Sequence, residues 1–214
     1  MLLLSRGREV VAFRLSPVPG QATFSERARS SSPSHVVTRD AAVPSDPGPR
    51  LRSQPLDAPF HVALLDPEIP QNTGSIARVC AATSSPLHLV GTLGFRIDEK
   101  AVRRAGVDYW HLVDVRRHAD LSELARVVPP TRWHLFSAKA DRSYLDAPFE
   151  PGDVLLFGKE SSGLPDDVVR AHEGRVWGIP TSGAVRSINL SNAVSVVLFE
   201  ALRRTGGLAN ATLR

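Results

Sequence analysis

Residues 154–165 read VLLFGKESSGLP. Four apolar residues run without a break into Gly158, then a polar turn of Lys159, Glu160, Ser161 and Ser162, then Gly163. A short apolar run bounded by turn residues predicts a strand covered on both faces. Two glycines around a polar turn at the carboxyl end of a strand suit close approach of a ligand to backbone amides and carbonyls. Glu160, if buried, is expected to organise neighbouring loops by accepting their N–H groups. The orders GxxxxGK[ST] and GxGxxG are both absent, so this is neither a Walker A loop nor a dinucleotide fingerprint. Taken alone, the segment also fits a tight strand-to-helix connection with solvated charge.

Further apolar runs lie on both sides of this one. They cover residues 60–65 (FHVALL), 87–90, 133–137 and 175–179 (RVWGI). Helical spacing lies between them. Ile76, Val79 and Cys80 share a face, as do Leu121, Leu124, Ala125 and Val128. Val194, Val197, Leu198, Ala201 and Leu202 form the strongest stripe, with Gly206 and Gly207 as a stop signal. Short apolar strands alternating with helices predict an α/β fold, a parallel sheet with helices on both faces.

Two more segments carry polar chemistry after a strand. Residues 66–78, DPEIPQNTGSIAR, open a helix. Pro67 and Pro70 fix the turn, and Asn72 or Thr73 is expected to cap it. Asn72 and Arg78, six apart, are expected on roughly similar faces. Residues 179–201, IPTSGAVRSINLSNAVSVVLFEA, place Arg186, Ser187, Asn189, Ser191 and Asn192 ahead of an apolar helix. One N-cap needs only one or two of these side chains, and the surplus is expected to bind a ligand or brace loops. The crevice beyond strand ends is where α/β sheets place ligands.

Composition narrows the class. Of 214 residues, 42% are hydrophobic and 22% charged, as in ordinary globular chains. A single cysteine, Cys80, excludes an intrachain disulfide and a four-thiolate zinc site. No run of eighteen apolar residues predicts a membrane-spanning helix. The net charge is +4. Residues 1–58 hold eight Arg, five acids and seven of the seventeen prolines, and read as a disordered extension or one translated from a mis-assigned start. Their Arg- and Ser-rich character also suits an organellar transit peptide, the less favoured reading. Residues 59–214 are nearly neutral, so any nucleic-acid site there must be a local patch.

Four strings, PEIPQNTGSIARVCAAT (67–83), LHLVGTLGFRIDEKAVRRAGVDYW (87–110), LFGKESSGLP (156–165) and IPTSGAVRSINLSNAVSVVLFEALR (179–203), resemble in type and order the SPOUT class of RNA methyltransferases. Within it the chain is similar to the TrmL, or YibK-like, group, which methylates the 2′-oxygen of cytidine or uridine 34 in tRNA. The resemblance covers residues 60–205 and none of 1–58. It implies a SPOUT domain over 59–214 with a C-terminal trefoil knot, where the pattern alone suggests an unknotted doubly wound sheet. It also implies S-adenosyl-L-methionine as cofactor, tRNA as substrate and a homodimer built on the first and last helices; no metal is expected, and the want of a convincing targeting signal, the single cysteine and a tRNA substrate together suggest the cytoplasm.

Matched residue by residue, the resemblance puts Phe136, Gly158, Ile179 and Ser187 at the cofactor, with Leu164 and Leu190 lining the same pocket. It puts Arg78 at the reacting hydroxyl, with Asn72, Glu160, Ser187 and Asn189 positioning it, the ribose and the cofactor loops. A guanidinium stays protonated to a pKa above roughly 12, so Arg78 is expected to support the forming alkoxide or a phosphate rather than act as a base. Arg103, Arg104, Arg116, Arg117, Arg142 and Arg186 are candidate phosphate contacts, and Tyr109, Trp110 and Tyr144 candidate stacking partners for a loop base. Ser162 and Lys159 depart from relatives that read FGPETRG, which loses an arginine. A catalytically silent RNA-binding protein, an enzyme for another tRNA or rRNA site, and a nucleotide-binding Rossmann enzyme are the alternatives. The last is disfavoured by the missing fingerprint.

Overall fold

In the computed structural model, which describes residues 49–95, 110–183 and 185–213, six strands form one parallel sheet. They are β2 (His61–Leu65), β3 (Leu87–Val90), β4 (Val115–His118), β5 (Trp133–Phe136), β6 (Val154–Phe157) and β7 (Val176–Trp177). Their order is β4-β3-β2-β6-β5-β7, and every pairing is parallel. The chain builds outward from β2 to β4, returns to β5, and then inserts β6 between β2 and β5. The loops leaving β2 and β6 are therefore neighbours at the point where the strand order reverses, the usual place for a ligand crevice.

Strand residues alternate between two apolar clusters because successive side chains point to opposite faces. Val62, Leu64, Leu155 and Phe157 join Ile76, Ala77 and Cys80 of α1 (Pro70–Thr83) and Val194, Val197, Leu198, Ala201 and Leu202 of α4 (Leu190–Arg204). Ala63, Leu65, Val154 and Leu156 join Leu124 of α2 (Leu121–Val127), with Val168 and Val169 of α3 (Asp166–Ala171) against them. The α4 stripe read from the sequence is thus a core face. The same helix shows an apolar pair, Val196 at 41% and Phe199 at 45% exposure, on its outer side.

Residues 49–58, read from the sequence as part of the extension, are among the described residues. β1 (Leu51–Arg52) pairs antiparallel with β8 (Thr212–Leu213), and Leu56 packs on the first cluster. The reason is tertiary: these residues gain partners from the far end of the chain, which composition does not reveal. β4 also escaped the sequence reading, since VRRH lacks an apolar run. It is an edge strand and needs little apolar surface.

Candidate functional site

The β2–α1 loop, the β6–α3 loop and the start of α4 meet through polar side chains. The Glu160 carboxylate accepts from Glu68 N–H at 2.8 Å, Ile69 N–H at 3.3 Å and Asn72 Nδ2–H at 3.0 Å. Asn72 Oδ1 in turn accepts from Asn189 Nδ2–H at 3.0 Å. Asn189 Oδ1 accepts from Ser191 N–H at 2.9 Å and Ser191 Oγ–H at 2.7 Å, capping α4. The chain of donors and acceptors orients both amides without ambiguity, because a carboxylate can only accept. Glu68 closes the clasp from the other side. Its carboxylate accepts from Ser161 N–H at 3.1 Å and Ser161 Oγ–H at 3.0 Å. The Ser161 hydroxyl holds the Glu68 carboxyl below the usual carboxylate range.

Two expectations change. α1 is capped by Ile69, with Pro70 in its first turn and no side-chain cap, so neither Asn72 nor Thr73 is the cap. Asn72 is inside the helix, 7% exposed, and its amide is spent on Glu160 and Asn189. Glu160, about ninety residues away, takes the N–H groups at the helix entry. Asn72 and Arg78 do not share a face. Six residues at about 100° each leave them roughly 120° apart, so Asn72 is buried and Arg78 is exposed.

Gly158 has a steric reason within its own loop. A β-carbon there would overlap the Gly163–Leu164 peptide, because the turn folds back on itself in a bridge between Lys159 and Gly163. The close backbone approach at Gly158 is the loop's own. Gly163, at φ +73°, makes the reversal.

Among the residues expected at a cofactor, Phe136 is buried at the end of β5 and stacks on Phe157 at 4.7 Å between ring centroids. Ile179 and Leu190 are half-buried on the same cluster, and Ser187 is exposed on the loop between them. Leu164 is buried in the other cluster, with Val168 and Val169 packed against it. The described residues of the 179–188 loop make no strand or helix, and their N–H groups form no backbone hydrogen bond.

Of the candidate RNA contacts, Arg142 lies over the Trp177 ring, 4.4 Å from its centroid, and donates to Glu173 O at 3.0 Å. Arg116 is paired with Asp114 at 2.6 Å. Arg117 and Arg186 are exposed, while Trp110 and Tyr144 pack on the first cluster. Arg103, Arg104 and Tyr109 lie outside the described residues. Sequence reasoning missed Glu68 and the buried group of His134, Asp153 and Trp177. An acid beside Pro67 and a histidine within an apolar strand were the only available signals.

Residues 59–199 match the model of the SpoU rRNA Methylase family. A tRNA (cytidine(34)-2′-O)-methyltransferase from Burkholderia ambifaria is 43% identical over 151 residues, which are 69% of this chain and 96% of that one. A solved structure described as giving insight into 2-OH methylation of C/U34 on tRNA superposes with TM-score 0.65 at 44% identity, covering 69% of this chain and 97% of the other. An AdoMet-bound rRNA methyltransferase from Sinorhizobium meliloti gives TM-score 0.60 at 25% identity, covering 72% and 61%.

Proposed function

The chain belongs to the SpoU rRNA Methylase family, and from that premise we propose that it is an S-adenosyl-L-methionine-dependent tRNA ribose 2′-O-methyltransferase acting on the wobble nucleotide, cytidine or uridine 34. The observation that carries this is the convergence of Glu160, Asn72 and Asn189 at the switch point of the sheet. It joins three loops on one side of the sheet; the described residues of the loop that continues to Asn189 form no strand or helix, and Phe136, Ile179 and Leu190 belong to one apolar cluster. That donor set fits the cofactor. An adenosine needs backbone hydrogen bonds and an apolar wall, and a sulfonium needs a neutral surround. Ile179, Ser187 and Leu190 would hold it with Phe136 behind them, while Gly158 keeps the adjoining turn tight. When bound, the cofactor supplies an electrophilic methyl group.

The chain's own residues orient and stabilise. Glu160 and Asn72 hold the entry of α1, and with it Arg78. The guanidinium cannot take the 2′-hydroxyl proton at neutral pH, since it is already protonated. It stabilises negative charge as it develops on the ribose oxygen, or binds the adjacent phosphate. The exposed position of Arg78 on α1 suits a homodimer in which α1 and α4 face a second copy. The outward Val196 and Phe199 support that interface. The trefoil knot is the finer fold we assign on family grounds, with 59–214 as the catalytic domain, and the cytoplasm as the place where tRNA is met.

Purified protein, radiolabelled methyl donor and total tRNA test the reading, with nucleoside mass spectrometry to locate the product. We expect 2′-O-methylcytidine or 2′-O-methyluridine at position 34. Arg78→Ala is expected to lower transfer by about 10²- to 10³-fold, as for loss of one transition-state donor, while calorimetric cofactor binding stays near normal. Equal loss of both would assign Arg78 a structural role, and methylation at another nucleotide would overturn the wobble assignment.

A further inference from the structure

We infer that Trp177 and His134 are positioning residues for the methyl donor: a buried hydrogen-bond run, Arg132–Asp153–His134–Trp177, locks the strand end from which the 178–189 loop departs. This rests on the cofactor reading above and adds residues that none of the sequence motifs contains.

The run is buried throughout its centre. His134 is 0%, Asp153 2% and Trp177 5% exposed. Trp177 Nε1–H donates to His134 Nδ1 at 3.0 Å, and His134 Nε2 meets Asp153 Oδ2 at 3.0 Å. An indole nitrogen can only donate, so Nδ1 must be the acceptor and the imidazole proton sits on Nε2, facing the carboxylate. Asp153 also accepts from Arg132 Nε at 2.5 Å and from Glu150 N–H at 2.8 Å. Burial alone would raise the Asp153 pKa, but the bonds from His134, Glu150 and Arg132 outweigh it and hold the carboxyl ionised. Burying these polar groups costs more than an apolar filling of the same space. What the run adds is a single orientation for the indole.

The strand end that carries the indole is tied to the 137–144 loop by main-chain bonds. Ser137 N–H donates to Trp177 O at 3.0 Å, Gly178 N–H to Arg142 O at 2.8 Å, and Tyr144 N–H to Gly178 O at 2.9 Å. A β-carbon at Gly178 would sit 3.3 Å from Ala140 O, so the 137–144 loop lies tightly against it. Phe136 is in register with Trp177 and forms the apolar wall next to it. Main-chain bonds thus hold Gly178 just before Ile179, and the buried run anchors the side chain of the residue before it, while no atom of either Trp177 or His134 need touch the ribose.

Trp177→Phe keeps an aromatic ring under Arg142 but removes the N–H donor together with part of the indole surface. With the full chain and total tRNA, we expect the KM for S-adenosylmethionine to rise about five- to tenfold, the size of one lost buried hydrogen bond, with kcat and the KM for tRNA within about twofold. His134→Leu is expected to do the same, and His134→Gln, which can still accept on one side and donate on the other, to recover most of the loss. A merely structural weakness would lower the folded fraction and hence kcat, without moving this one KM. Unchanged cofactor KM in both Trp177→Phe and His134→Leu, with active wild type, overturns the inference, as does a loss confined to kcat. If wild type itself neither binds the cofactor nor methylates tRNA, the functional reading fails instead. Should Trp177→Phe not fold, the His134→Leu and His134→Gln pair decides alone.

Discussion

Glu160 accepts three hydrogen bonds from the entry of α1, two of them from backbone N–H groups that the helix itself cannot satisfy. Glu160→Ala leaves those donors and the Asn72 amide without their acceptor. We expect a loss of about 2 kcal/mol, from the penalty for unpaired polar groups, seen as a fall in Tm of roughly 4–8 °C for a chain of this size. Methyl transfer should fall further, by about 10²-fold, because small displacements of an oriented group cost that much. Activity tracking stability alone would contradict this. Glu160 was legible as an organiser from its place between two glycines. Its partners were not, because Glu68 and Asn72 lie some ninety residues away and only the strand order brings them near.

At the level of elements, three strands place histidines in a row. His61 of β2, His88 of β3 and His118 of β4 are joined ring to ring, Nδ1 to Nε2, at 2.8 Å each. Burial, then the neighbouring His61 and His118 and Arg116, pushes His88 down to about 3. Burial, opposed by Glu123, lowers His118, and burial with Arg116, opposed by Asp114, lowers His61. The unfolded chain takes up these protons near pH 6.5, before the folded chain does, so stability is full above about pH 6.5 and declines as pH falls toward 3. Urea midpoints at pH 7 and pH 5 should show that decline, and His88→Leu should flatten it. A variant as acid-sensitive as wild type would place the sensitivity elsewhere. None of this was legible beforehand: β4 carries two arginines and a histidine, and a strand with so little apolar content gives no periodic signal.

At the scale of the molecule, the compact unit spanning residues 46–214 carries a pair of short strands, β1 and β8, that join the two ends of the described chain. Removing residues 1–48 gives the reference Tm for a second, longer truncation. Removing residues 1–58 takes away β1 and Leu56, whose side chain meets the Gly207 turn, and should lower Tm below that reference by about 2–8 °C, as expected for one to two kcal/mol lost in a chain of this size. Equal Tm values for the two truncations would show that the tether contributes nothing. The site depends on the same global arrangement, since β6 enters the sheet beside β2 only after the chain has gone out to β4 and come back through β5.

The amino-acid sequence alone determined the parallel α/β class, the core faces of α1 and α4, and the three polar segments around Asn72, Glu160 and Asn189. Apolar periodicity and the order of turn residues are local properties, written in neighbouring positions. The tertiary structure decided which loops touch, why Gly158 must be glycine, that Arg78 faces away from Asn72, and that residues 51–57 belong to the fold. Each of these depends on contacts between positions far apart in the chain, and the strand order that creates them has no local signature.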